Sequence, residues 1–470
     1  MVVASPPGPG TARPQTLGAL RAAGYQPRSV KQEIKANLLT ALRAGEQPFP
    51  RIVGFDRTVL PELETALLAG HDLVLLGERG QGKTRLMRSL VALLDEWVPV
   101  VAGCEIRDEP TAPVCVRCQR LLEQHGDDLP VSWVHREQRY AEKLATPDTS
   151  VGDLVGDVDP VKVAQGRTLG DPETVHYGLV PRANRGVVGI NELPDLAERI
   201  QVALFNVLEE RDIQVRGYSL RLPLDLLLVV TANPEDYTNR GRIVTPLKDR
   251  FGAEIRTHYP LAVEDEVALV TQEILPAAQL PEHLVEVLAR LTRGLRHSAA
   301  VDQRSGVSAR FGVAAAEGVS ASALRRSARL AEPESVARVC DVPAVVPMLL
   351  GKLEFETGEE GREREVVDHL LRSAVAETFR ERLGGLDLSG FTDVFVDGAT
   401  VETGEMVAAD DLLAQLGTVA GLAKVLDRLG HGDDASPGEV AASVELVLEG
   451  LHLTRRIDKA VVDGRTVYGA

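Results

Sequence analysis

Four cysteines in 470 residues, unevenly spread, are too few for a disulfide framework, and a reducing, cytoplasmic setting is the expectation. No apolar run approaches the length of a membrane span, so no membrane partner is expected. The opening MVVASPPGPGTARPQT lacks the apolar core of a secretory signal, and residues 1–16 read as a flexible Pro/Gly tail. Positive charge is also in short supply. Lys and Arg number 52 against 69 Asp and Glu, a formal net charge of −17. That balance argues against a nucleic-acid partner, because such binding rests on neutralising phosphates. There is no internal repeat and no low-complexity block beyond the tail. What remains, 44% hydrophobic and 26% charged, is ordinary globular composition over a length that suits two or three domains.

Within that frame, residues 77–84 read GERGQGKT, a G-x-x-x-x-G-K-[ST] phosphate loop. The apolar run Leu73–Leu76 before it suits a buried strand, and Met87, Leu90, Val91 and Leu94 after it recur at helical spacing. A strand feeding a glycine-rich turn into a helix aims backbone N–H groups and the positive helix end at one point, which suits a polyphosphate. Gly77, Gly80 and Gly82 let the backbone close, with Glu78, Arg79 and Gln81 completing the cradle. Lys83 is expected on the β/γ oxygens, and the Thr84 hydroxyl on Mg²⁺. The expected ligands are therefore ATP and Mg²⁺.

Around this loop the chain alternates strand and helix signals. Ser29 and Gln32 form an S-x-x-Q capping box ahead of a helix that carries Ile34, Leu38 and Leu42 on one face. A second amphipathic stretch covers Leu60–Leu68, and strands are expected at 98–103, 186–192 and 226–233. From about 260 the pattern turns helical. Beyond 341 an amphipathic stretch carries Val366, Val367, Leu370, Leu371, Ala374, Val375 and Phe379, and 431–439 separates two late helices.

A hydrolytic site also needs acidic and polar groups at neighbouring strand ends. The run GVVGINE ends in Asn191-Glu192, where Asp-Glu is the common pattern; Glu192 is the candidate water-activating base or, alternatively, a helix cap. Asn191 can bind metal-held water through its amide oxygen but brings no charge. Asn233, closing the next apolar run, is placed to orient water against a γ-phosphate. Arg250, in PLKDRFG, suits an arginine supplied to a neighbouring subunit. Arg310 begins a helix from which a lid could reach the nucleotide.

In order and spacing, PFPRIVGFD, GERGQGKT, LATPDTSVGDLVGDVD, YGLVPRANRGVVGINELPDL, LEERDIQVRGYSLRLP, VVTANPEDYTNRG and PLKDRFGAEIRTHYP resemble the AAA+ module of the magnesium chelatase I subunit and its MoxR relatives over residues 48–260. The resemblance implies an α/β P-loop fold, a parallel sheet with helices on both faces. It divides the chain into an AAA+ domain at 17–259, a helical lid at 260–340 and a mainly helical region at 341–470. It implies a hairpin insert near 208–222, Asn233 as sensor 1, Arg250 as arginine finger, Arg310 as sensor 2, and Ile52, Val53 and Gly54 near the adenine. It also implies ATP hydrolysis in a ring, hexameric by expectation, and a partner carrying a von Willebrand A-type domain.

Two features depart from the family. Asn191 stands where the Walker B aspartate is usual, which opens the reading of a nucleotide switch with little hydrolysis. An insert at 104–130 carries Cys104 and Cys115-x-x-Cys118. It reads either as reduced thiols or as a structural zinc site with His125 as fourth ligand. Arg182 and Arg185 read as interface or solvated arginines. Within the motor class, a chaperone-like remodeller and a tetrapyrrole-metallation motor both stand. A transcription activator would carry a GAFTGA loop, and the sequence has none.

Overall fold

Leu73–Leu76 is buried along its whole length, as a strand between two neighbours and two helical layers must be. The computed structural model describes residues 13–165, 174–209, 212–215, 218–234, 243–302, 305–396, 398–432, 434–462 and 465–469. The chain divides into two compact units, residues 1–258 and 259–470. In the first, Leu73–Leu76 (β1) joins Tyr140–Leu144 (β2), Gly186–Asn191 (β3), Leu226–Ala232 (β4) and Ala253–Arg256 (β5) in one sheet of order β5-β1-β4-β3-β2. Every pairing is parallel.

Alternation along the strands feeds two hydrophobic layers. Leu73 and Leu75 share one with Ile34, Leu38, Leu63, Leu86 and Val229. Val74 and Leu76 share the other with Ile190, Ile200, Leu204 and Val230. The first layer is closed by helices Val30–Ala44, Val59–Ala69 and Lys83–Ser89, the second by Glu198–Glu209. The Ser29–Gln32 capping box forms as its pattern predicts. Leu42, three turns along, stays on the rim at 38% exposure.

The strand expected at 98–103 runs from Trp97 to Val101 and pairs antiparallel with Val131–His135, so the cysteine-bearing insert is bracketed by a two-stranded ribbon. That ribbon also corrects the reading of 1–16 as free tail. Trp133 donates its indole N–H to the Pro14 carbonyl at 2.8 Å, Val131 N–H donates to Gln15 at 2.8 Å, and Arg13 lies 3.8 Å over the Trp97 ring. Residues 13–16 are therefore held by an aromatic face and a strand edge; residues 1–12 lie outside the described residues. In the 208–222 insert, Asp212–Val215 and Tyr218–Arg221 pair antiparallel.

The second unit contains helices Val263–Glu273, Glu282–His297, Ala309–Leu330, Glu363–Leu383 and Pro437–Leu453. The sequence divides at 340/341, yet Leu288, Val319, Leu371, Phe379, Leu446 and Leu448 from both sides share one core. A three-stranded antiparallel sheet of Val401–Thr403, Arg465–Gly469 and Asp458–Val462 stands within the region expected to be mainly helical. Among the described residues no helix is long and apolar enough to cross a membrane.

Candidate functional site

Sheet register brings three strand ends to one edge. Leu76 lies level with Ala232, and Val230 with Ile190, so Gly77, Asn233 and the Asn191-Glu192 pair all leave the sheet together. Ligands of open parallel sheets bind at this carboxyl edge. Gly77 N–H donates to the Ala232 carbonyl at 3.2 Å, tying the loop to β4.

In the loop, Gly80 and Gly82 take left-handed φ values of 76° and 77°. A side chain at Gly77 would overlap the Thr257 hydroxyl and the Gln81 amide oxygen. That oxygen accepts from Glu78 N–H at 3.0 Å and from the Thr257 hydroxyl at 2.9 Å, so the end of β5 braces the loop. Lys83 is buried. Its ammonium donates to the Gly77 carbonyl, to the Glu78 carbonyl at 2.9 Å and to Asn233 Oδ1 at 2.8 Å. Asn233 Nδ2 in turn donates to Glu192 Oε2 at 2.7 Å. Glu192 has φ 55°, a left-handed conformation that a non-glycine residue adopts at a cost of order 1 kcal/mol or more, and its N–H donates to Thr231 Oγ1 at 3.0 Å. Lys83, Asn233 and Glu192 thus form one hydrogen-bonded chain.

Asn191 is oriented from both sides. Its Oδ1 accepts from the Thr84 hydroxyl at 3.0 Å and from Thr231 at 3.3 Å. Its Nδ2 donates to Glu142 Oε1 at 2.7 Å. Glu142, on β2, also accepts from Arg88 at 2.7 and 2.9 Å and from the Tyr140 hydroxyl at 2.8 Å. Burial pushes its carboxyl up, but the donors from Arg88, Tyr140 and Asn191 outweigh this and hold it below the usual carboxylate range. The sequence reading missed Glu142, because YAEKL identifies a strand neighbour of β3 only once the strand order is known.

Ile52 is buried in the layer that holds Leu75 and Leu86, while Val53 and Gly54 are partly exposed, Gly54 at φ 78°. Arg79 is exposed. Arg250 is exposed just after helix Thr245–Lys248, its guanidinium 5.7 Å from the Phe205 ring centre. Arg310 is exposed in the first turn of Ala309–Leu330, in the second unit. Arg182 is exposed, but Arg185 is neither solvated nor at a surface. It is buried at 5% exposure and bonds to the Pro99 carbonyl and, at 3.1 Å, to the Tyr25 hydroxyl.

In the insert, Cys104, Cys115 and Cys118 come together, but with Asp108 in place of the expected His125; their ligand atoms all lie within 4.8 Å of one another. His125 is exposed at the far end of helix Val116–His125, a helix length from the cysteines at its start. Cys104 is the readiest of the three thiols to ionise, lowered by hydrogen bonds from Cys115 and Cys118.

Parallel strand order, glycine loop and clustered polar strand ends define an AAA+-type P-loop module. Residues 167–249 match the Sigma-54 interaction domain family. Homologues of the chain are magnesium chelatase I subunits. It is 30% identical over 234 residues to the magnesium-chelatase 38 kDa subunit of Cereibacter sphaeroides, covering 48% of this chain and 63% of that one. It is 31% identical over 242 residues to the Rhodobacter capsulatus 38 kDa subunit, covering 50% of this chain and 64% of that one. The chain thus spans less than two thirds of the relatives it matches. Among solved structures, a cryo-EM-based complex of magnesium chelatase subunits BchI and BchD aligns with 69% of this chain and 98% of that one, at 22% identity and a TM-score of 0.36.

Proposed function

We propose that the chain is an ATP-hydrolysing AAA+ motor that works as a ring, hexameric in our reading, and couples turnover to remodelling or activating a partner protein. The observation that carries this reading is the continuous chain Lys83–Asn233–Glu192 beside Thr84 and Asn191. Their oxygens suit a hard cation, and the buried lysine suits a polyphosphate. Bound Mg²⁺ would supply neutralisation of the charge that develops on the transferring phosphoryl group. In this mechanism Lys83 exchanges its own loop carbonyls for phosphate oxygens. Thr84 and Asn191 order the ion's surroundings. Glu192 accepts the proton of the attacking water, and Asn233 holds that water in line. Arg250 serves the neighbouring subunit's site, and Arg310 senses nucleotide from the second unit.

The partner in this reading carries a von Willebrand A-type domain, as the resemblance of residues 48–260 implies; chaperone-like remodelling leads, with metallation of a tetrapyrrole close behind. The setting proposed is cytoplasmic. The test is ATP turnover against protein concentration, for wild type and Arg250→Ala, alone and mixed. Specific activity that rises with concentration and is poisoned by the variant supports shared sites. Asn191 favours a second reading, a nucleotide switch with little hydrolysis. Tight ATP binding lost in Lys83→Ala, with no turnover in wild type alone or with a von Willebrand A partner, would decide for the switch.

A further inference from the structure

We infer that Cys104, Asp108, Cys115 and Cys118 form a closed structural zinc site that pins the 104–130 insert to the ATPase core. Three thiol sulfurs and a carboxylate oxygen within 4.8 Å of one another match the spacing of tetrahedral zinc ligands, for which bonds of about 2.3 Å place sulfurs about 3.8 Å apart. Four protein ligands leave no open position, which is the pattern of a structural rather than a catalytic ion.

The local backbone is shaped for thiolates. Cys115 is the N-cap of helix Val116–His125, and its sulfur accepts the Cys118 N–H at 3.3 Å. The Cys104 sulfur accepts the Asp108 N–H at 3.4 Å. Asp108 supplies the independent sign of a missing ligand. Its side chain is fully buried; Oδ2 accepts the Cys115 N–H at 2.9 Å, while Oδ1 is buried with no hydrogen-bond partner. An orphaned buried carboxylate oxygen beside three sulfurs costs free energy that a bound cation would remove.

The position assigns a purpose. Between the ligands, Ile106 accepts from Asn184 Nδ2 at 3.0 Å, and Asn184 Oδ1 accepts from Asp225 N–H at 2.8 Å. Asn184 lies two residues before β3, and Asp225 immediately precedes β4, the two strands that end in Asn191-Glu192 and Asn233. Fixing residues 104–108 therefore fixes the entry of both strands.

The test is metal analysis of the full chain, grown with zinc and purified under reducing conditions without chelator. One zinc per chain is expected in wild type and in His125→Ala. Asp108→Ala should lose zinc to a competing chelator about tenfold or more readily, by analogy with the loss on weakening a metal's ligand support, and Cys118→Ser should retain none. Cobalt substituted into the wild-type chain gives a readout independent of variant folding: thiolate-to-cobalt charge-transfer bands with the intense d–d bands of a tetrahedral site. Metal-free wild type, a Cys115–Cys118 disulfide by thiol titration, zinc unaffected by Cys118→Ser, or an octahedral cobalt spectrum would each overturn the site.

Discussion

Asn191 shows how a neutral residue can be held beside the phosphate loop without a charge of its own. Its amide N–H is taken up by Glu142, which leaves the carbonyl oxygen toward Thr84. The negative charge is thus one residue removed, on a neighbouring strand and stabilised by Arg88 and Tyr140. Introducing an aspartate here is accordingly not a simple gain. In Asn191→Asp a carboxylate would meet the Glu142 carboxylate where 2.7 Å now separates donor and acceptor, and like charges at that range raise one of the two pKa values. We expect the Mg²⁺ dependence of ATP binding in Asn191→Asp to become pH-sensitive between about pH 5 and 7, weakening as pH falls and one carboxylate protonates. The double variant Asn191→Asp/Glu142→Gln should lose that sensitivity. Mg²⁺ titrations at several pH values check both, and identical profiles for the two variants would refute the coupling.

Elements of the first unit are locked by one buried ion pair. Glu33, on helix Val30–Ala44, meets Arg139 through two bonds of 2.7 Å, with exposures of 3% and 1%, and Arg139 also donates to the Arg185 carbonyl at 2.7 Å. Removing one partner leaves the other charged and dry. Glu33→Ala should therefore lower stability by about 3–5 kcal/mol, whereas Asp127→Ala, which breaks the exposed pair with Arg21, should cost less than about 1 kcal/mol. Chemical denaturation of the full chain reads both. Such long-range pairs leave no local pattern, so neither Glu33–Arg139 nor the Asn191–Glu142 bond was legible beforehand. The central strands β1, β3 and β4 were legible, since buried parallel strands are continuous apolar runs. The edge strands β2 and β5, YAEKL and AEIR, are polar and half-exposed, and carry no such signal. The C-terminal sheet does carry one: in the sequence Asp463-Gly464 lies between the runs DKAVV and RTVYG, a hairpin signature. Asp108 escaped for another reason. A carboxylate four residues from a cysteine is commonplace until the fold turns it inward.

At the scale of the whole molecule, two compact units imply two contributions to stability, and the second carries an acid-sensitive group. His283, in helix Glu282–His297, is fully buried; burial foremost, then His431 and Arg382, hold its pKa down to about 3. Arg382 is itself paired with Glu282 and Glu286, and His431 lies 3.6 Å from Glu439, so the neighbours that oppose a proton on His283 are fixed in place. In the unfolded chain His283 titrates near its ordinary value of about 6.5. The unfolded state therefore binds more protons between about pH 6.5 and 3, and stability falls as pH drops through that window. By pH 4 the His283 share amounts to about 3 kcal/mol, confined to residues 259–470. A His283→Leu variant removes that share while leaving the titrating carboxylates in place. The stability of wild type relative to the variant should thus decline by roughly that amount from pH 7 to pH 4, and little above pH 7. Thermal or denaturant unfolding across this range supplies the measurement. A difference that stays flat with pH would mean that His283 takes up its proton in the folded chain, and that the core around helix Pro437–Leu453 opens to water far more readily than its burial implies.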